Sequence, residues 1–296
     1  MASKMAETKN IEEVIQESLN AWRSNLILGL PFFLNSIVSL FLIVAYVAFV
    51  YFYANPFTHV VTGDFMSVVR SVEWLLLCLD LCLALALFVL MIVLSAFFLS
   101  GAIGMAKNAL KKGETSVGDL FEYGRRHFIK VLLANIVILF FMMVAAAVAL
   151  FLQAFLNGQY INIAMLALGI FFAPVPYAIV LSNCGAREGL KKGTDVILKN
   201  KLDAILIYVF VTTFTSLITA IAMTVIGLIA ALLIALLPIQ DLTLLGITSA
   251  VSASVPIIII GLVIAAIVYM AALVLVAEPI GTVCWANYYL SRRENE

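Results

Sequence analysis

One motif occurs three times in register, and each copy closes a long apolar run. The copies are Ala106-Lys107-Asn108-Ala109-Leu110-Lys111-Lys112-Gly113, Ala186-Arg187-Glu188-Gly189-Leu190-Lys191-Lys192-Gly193 and Ala286-Asn287-Tyr288-Tyr289-Leu290-Ser291-Arg292-Arg293. Their spacings of 80 and 100 residues divide a single membrane domain, residues 1–296, into units 10–113, 114–193 and 194–296. A repeat of this kind is read before any local motif, because each copy is one supersecondary unit that buries its apolar face against its neighbours.

Composition sets the solvent in which these units fold. Hydrophobic residues make up 65% of the chain, charged residues 11%, and mean hydropathy is +1.15. Soluble domains carry about 25% charged residues, so the chain belongs in lipid. The first 25 residues hold four glutamates and lack the basic, apolar and small-residue regions of a secretory signal, so the start of the chain is expected to be kept.

Six stretches reach the ~18–20 apolar residues that cross a bilayer. They lie near 26–53, 74–104, 129–155, 160–183, 203–237 and 256–285. Several are longer than the hydrocarbon requires, which predicts tilt or projection beyond the membrane. Asn157-Gly158 joins the third and fourth spans as a tight antiparallel turn. Of 17 Lys and Arg residues, 16 fall in the N-terminal segment, the 105–130 loop, the 185–202 loop or the C-terminal tail. The positive-inside rule then places both termini and both basic loops in the cytoplasm of a cell whose plasma membrane holds the protein. Segments 54–73, 153–159 and 238–255, with Asp64, Glu73 and Asp241, fall outside.

Each unit also opens on an amphipathic stretch. Ile11, Val14, Ile15, Leu19 and Trp22 form an apolar stripe on an otherwise polar helix. Asn10 with Glu13, and Ser116 with Asp119, read as capping pairs, and Thr194-Asp195 is expected to open the third stretch. The fold class is thus all-α: an integral membrane bundle of six transmembrane helices, built as three parallel hairpin repeats with cytoplasmic interfacial helices. Packing of the first helix on the bundle is the alternative to an interfacial position.

Candidate chemistry is sparse. Asp80 and Glu278 are carboxylates at bilayer depth, where a charge is costly and marks a functional site by default. No cation lies in the interior of a span, so their partners are expected among Asn35, Ser39 and Asn135, and a stripe on the fifth span, Tyr208, Thr212, Thr215, Ser216 and Thr219. The two carboxylates are expected at different depths. Pro174, Pro176 and Pro279 predict kinks and freed carbonyls. Gly227 with Ala231, Gly261 with Ala265, and Ala145 to Ala147 offer flat packing faces.

Cys184 and Cys284 occupy one repeat position, held by Gly104 in the first unit, which predicts a small-residue packing slot. No disulfide is expected, and His59 and His127 fall on opposite sides of the membrane, so Cys78 and Cys82 lack the further ligands of a metal site. Lys111, Lys112, Arg125, Arg126, Lys191 and Lys192 are candidate contacts to anionic headgroups. The chain carries none of the hydrolase, metalloprotease, phosphate-loop or dinucleotide motifs. No enzyme activity, cofactor, metal or nucleic acid is expected; the expected partners are membrane lipids and either a second copy or another protein.

The Gly101-Ala102-Ile103-Gly104-Met105-Ala106 helix end, Leu110-Lys111-Lys112-Gly113, Asp119-Leu120-Phe121 and Arg125-Arg126 resemble an uncharacterised group of bacterial and archaeal polytopic membrane proteins. That group is similar to the membrane domain fused to glycerophosphoryl diester phosphodiesterases. No phosphodiesterase domain is present here, so the resemblance implies a membrane-embedded module without that activity. Two function classes remain: a lipid-associated structural or accessory module, and a transporter or channel for a small solute or lipid-like molecule using Asp80, Glu278 and the polar stripe.

Overall fold

The computed structural model describes residues 9–54, 66–153, 158–235, 264 and 267–293, and the regular elements among them are all helical. Helix α1 (Ile11–Ser24) leads through a short 3-10 turn, Leu26–Gly29, into α2 (Leu30–Ala54). Then follow α3 (Met66–Lys112), α4 (Val117–Gln153), α5 (Gly158–Phe172), α6 (Val175–Ser182), α7 (Ala186–Lys199) and α8 (Lys201–Ala235). A π-helical turn, Leu273–Ala277, precedes α9 (Glu278–Arg293). Six stretches are long and apolar enough to cross a membrane, so the chain is an all-α membrane bundle. Of the expected outer segments 54–73, 153–159 and 238–255, residues 55–65, 154–157 and 238–255 lie outside the described residues, with His59, Asp64, Asn157 and Asp241, as do Gly261 and Ala265, whereas residues 66–73, with Glu73, are helical and open α3.

Both capping pairs form. The Glu13 carboxylate accepts the Asn10 N–H at 3.1 Å. The Asp119 carboxylate accepts the Ser116 N–H at 2.8 Å while the Ser116 hydroxyl faces the Asp119 N–H at 3.4 Å, so each end satisfies a donor the first turn would leave orphaned.

Packing divides the bundle into two zones. At the basic end Ile103, Met105 and Ala106 of α3, Leu120 and Val131 of α4, Ile179 of α6 and Ile207 of α8 are sealed in one core. Toward the other end Leu81 and Leu85 of α3, Phe140 and Phe151 of α4, and Leu217 and Leu228 of α8 are exposed, as side chains facing lipid are. The 47 residues of α3 extend ~70 Å at 1.5 Å per residue, against a hydrocarbon core of ~30 Å. Because the basic end also buries polar groups such as Asn108, His127, Asn287 and Arg292, it is this end that projects beyond the hydrocarbon.

The hub of the core is α9, in which every residue from Pro279 to Arg292 is buried against α1, α3, α6 and α8. Helix α1 runs antiparallel along it. Arg292 donates to the Lys9 carbonyl at 3.2 Å, Asn287 to the Val14 carbonyl at 3.0 Å, and the Trp22 indole to the Leu275 carbonyl at 3.2 Å. Its apolar stripe therefore meets protein: Val14 is 0% exposed. The first helix packs on the bundle along α9, which supplies polar partners at both ends and the middle of the contact.

The second unit departs from the repeat. The first motif copy completes α3 and stops at Gly113, whose φ of 80° is the left-handed end that glycine adopts without strain. The second copy lies on a separate helix. Helix α6 ends at Asn183 with φ 53°, the Cys184 N–H bonds back to the Ile179 carbonyl at 3.2 Å, and α7 folds against α6. A Cβ at Gly189 would sit 2.2 Å from Ile179 Cγ1, and one at Gly193 would sit 2.8 Å from Val175 Cα. Helix α7 runs straight through Thr194, whose hydroxyl bonds to the Leu190 carbonyl at 2.9 Å. Thr194-Asp195 opens no helix, and the 193/194 boundary falls inside α7.

Units one and three share a joint that their sequences conceal. Asn25 (φ −136°, ψ 67°) and Asn200 (φ −127°, ψ 53°) end α1 and α7 in nearly the same conformation. Each side-chain amide donates to the carbonyl four residues back, Ala21 at 3.0 Å and Val196 at 3.3 Å.

Candidate functional site

The polar feature that several elements build together is a cleft of about 370 Å³ between α2, α3 and the last span, Ile267–Arg293. Its polar lining is Asn35 and Ser36 from α2, Ser95 from α3, and Tyr269 and Glu278 from the last span; Phe32, Phe98 and Leu273 supply apolar wall. The Ser95 hydroxyl donates to Asn35 Oδ1 at 3.3 Å. Glu278 is the first residue of α9 and is exposed on the cleft.

The last span changes pitch here for a local reason. Pro279 has no N–H to give, so a carbonyl in the preceding turn loses its ladder partner, and the five-residue π turn Leu273–Ala277 sits there. The Trp22 indole takes up the Leu275 carbonyl, four residues before the proline. Pro174 acts similarly between α5 and α6: the helix halts at Ala173 and restarts at Val175 with Pro176 in its first turn, where the missing N–H costs nothing.

Asp80 does not join this cleft. Its side chain is half-buried and receives the Tyr46 hydroxyl of α2, while its Oδ1 is buried with no hydrogen-bond partner among the described residues. Tyr46 lies 11 residues beyond Asn35, or ~16 Å along α2 at 1.5 Å per residue. The two carboxylates engage one helix at different heights.

Other candidates lie elsewhere. Asn135 is half-buried on α4, outside the cleft lining. On α8, Tyr208, Thr215 and Thr219 are half-buried, whereas Thr212 and Ser216 are exposed. The Tyr208 hydroxyl lies toward Gly169 of α5. None of the five is among the residues that line the cleft. Among the described residues nothing lies within 4 Å of a Cβ at Gly227; close helix contact occurs at Gly101 and Gly104 of α3, where a Cβ would come 2.3 Å from Leu120 and 2.1 Å from Tyr123. Gly104, Cys184 and Cys284 are all buried.

The basic rim is open. Lys111, Lys112, Arg125, Arg126 and Lys191 are exposed, and Arg125 and Arg126 border an open pocket with Phe121 and Glu122. Lys192 is half-buried and held by Glu188 at 2.8 Å; this pairing lowers the Glu188 carboxyl and raises the Lys192 ammonium relative to their ordinary values. Burial, with Glu188 nearby, pushes the Cys184 thiol up, which keeps it protonated and poorly nucleophilic. Among the described residues no group of three or more His, Cys, Asp or Glu is placed to hold a metal ion.

A family model described as a domain of unknown function (DUF7847) matches residues 10–280. The chain belongs to that family. Neither the curated proteins nor the solved structures gave a match. The matched span begins at the cap of α1 and ends two residues past Glu278, so it takes in both the α1–α9 contact at Trp22 and the whole cleft lining.

Sequence reasoning did not find the ties that fix α9. Arg292 counts in the sequence as a topology charge, yet it is buried and holds Asp203 of α8 at 2.5 Å. Tyr288 donates to the Asn200 carbonyl at 3.3 Å, and Tyr289 meets Ser182 at 2.9 Å. The available signal was Asp203, an acid at the head of an apolar span.

Proposed function

We propose that the protein is a non-catalytic, lipid-associated module of the cytoplasmic membrane, structural or accessory to a partner, with both termini inside. The carrying observation is the two-zone packing: a sealed core at the basic end and apolar helix faces exposed over the remaining length of α3, α4 and α8. Rim cations Lys111 and Lys112 are exposed, and Arg125 and Arg126 sit beside exposed Phe121, a combination that binds an anionic leaflet through ~1 kcal/mol per cation and an inserted aromatic. The protonated Cys184 and the absence of catalytic motifs from the sequence support a role without chemistry. The partners of this reading are membrane lipids and a second copy or another protein.

A transport role is the second reading, favoured by the cleft with Glu278 and by the helix breaks at Pro174 and the π turn. The separation of the α8 stripe from that cleft weighs against it. Purification into nanodiscs of mixed charge tests the first reading. Anionic lipid should co-purify in excess over its supply, and the fourfold substitution of Lys111, Lys112, Arg125 and Arg126 by Gln should remove the excess. Equal lipid retention by both proteins, with a substrate-dependent flux in proteoliposomes, would replace the module by the transporter.

A further inference from the structure

The two carboxylates of the spans have unequal surroundings. Asp80 has the Tyr46 hydroxyl, whereas among the described residues no Lys or Arg stands beside Glu278 in the cleft lining. No Lys or Arg lines the cleft. Lys107, the first cation after Ser95 on α3, is 12 residues away, ~18 Å along the helix. Nor do the segments outside the described residues supply one nearby by sequence: apart from Lys4 they contain no Lys or Arg. When ionised, a carboxylate at the border of the lipid zone takes a counter-charge, and among the described residues no Lys or Arg lining the cleft supplies one.

We propose that the cleft binds the headgroup of an amine-bearing phospholipid, with Glu278 holding the primary ammonium; the proposal rests on the reading of the protein as a lipid-associated module. A primary ammonium offers three N–H donors and the carboxylate accepts them, with the hydroxyls of Ser36 and Tyr269 completing the ring of acceptors. Because Asn35 spends its Oδ1 on Ser95, its amide N–H groups remain to donate to the phosphate of the same headgroup. The volume of about 370 Å³ lies within the ~300–1,000 Å³ of small-ligand pockets. The acyl chains follow the exposed face of α2, where Ile37 and Phe41 point away from the bundle.

Native mass spectrometry of the full chain, released from nanodiscs of phosphatidylethanolamine, phosphatidylcholine and phosphatidylglycerol in equal parts, tests this. Wild type should keep ethanolamine lipid over choline lipid by about tenfold, the factor expected of one charge-assisted contact. Glu278→Gln should bring that ratio to parity without changing the retention of glycerol lipid at the basic rim. Ser36→Leu fills the cleft from α2, leaves the carboxylate in place and should give the same parity, so it decides the matter if Glu278→Gln fails to fold. Equal ethanolamine and choline retention by wild type, or a preference that survives both substitutions, overturns the proposal. Loss of the anionic excess in wild type would instead overturn the module reading and is seen separately.

Discussion

Trp22 caps Leu275: the indole N–H of the first helix meets, at 3.2 Å, a backbone carbonyl in the turn that Pro279 disrupts. Two irregularities, an aromatic on a polar helix and a proline in a span, resolve into one hydrogen bond. Trp22→Phe keeps most of the ring and removes the donor, so the bond to the carbonyl is lost at about 0.5–1.5 kcal/mol. Thermal unfolding in detergent should show the loss. Pro279→Ala returns an N–H to the turn and should shrink the effect of Trp22→Phe in the double variant. Additive losses would show that the two residues act independently.

Glu17 ties the same pair of helices and titrates. Burial works to raise its carboxyl, but the Lys9 ammonium at 2.7 Å and the Asn287 amide at 3.1 Å outweigh it and hold it below the ordinary 4.5. A carboxyl depressed in the folded state stabilises above its unfolded pKa, and that contribution disappears as pH falls through the folded value. Between about pH 6 and pH 3, wild type should lose more stability than Glu17→Gln, and the two curves should converge in acid. Parallel curves would remove Glu17 from the α1–α9 joint.

Small residues in the spans are not equivalent. Gly104→Ala places a Cβ 2.1 Å from Tyr123, and Gly101→Ala places one 2.6 Å from the Leu120 carbonyl. Each should cost about 1–3 kcal/mol through overpacking, with Gly101 the worse because a backbone oxygen cannot step aside. Gly227→Ala meets nothing within 4 Å and should stabilise α8 by about 0.5–1 kcal/mol. Unfolding midpoints of the three variants test this order.

Tyr46 and Asp80 form the polar contact deepest in the lipid zone. Asp80→Asn keeps an acceptor for the tyrosine and should leave stability almost unchanged. Asp80→Leu and Tyr46→Phe should each cost about 0.6–1.7 kcal/mol, the range of such bonds in membranes. A proton-coupled flux abolished by Asp80→Asn would assign the residue to transport instead.

Orientation is open to direct labelling. In a background without the native cysteines, Asn157→Cys should react with an impermeant reagent from outside the cell. Lys111→Cys and Lys191→Cys, both at exposed positions on the basic rim, should react only after the membrane is opened. Labelling of Lys111→Cys in intact cells would invert the topology.

What the sequence revealed divides by distance along the chain. The six spans and the Asn10/Glu13 and Ser116/Asp119 caps were legible because period and capping are settled within a few residues. The freed carbonyl ahead of Pro279 was legible too. Its partner was not, because Trp22 lies 253 residues away and nothing in either local pattern names the other. Asn35 and Glu278 were picked individually as polar residues in apolar runs, but their meeting in one cleft depends on how α2 packs beside the last span. The α8 stripe was read from helical spacing alone, and spacing does not say which neighbour each hydroxyl meets: Thr212 and Ser216 are exposed while Tyr208, Thr215 and Thr219 are half-buried. The joint shared by Asn25 and Asn200 escaped notice because their flanking residues differ while their backbone angles agree.

The buried α9 also imposes an order of events during synthesis. Val14 and Asn287 are 273 residues apart, so at ~5–20 residues per second α1 emerges ~14–55 s before its partner exists. Through that interval the apolar stripe of α1 and the inner faces of α3, α6 and α8 await the same late helix. The sealed core therefore closes last, when the final span, which carries α9, joins the spans made before it.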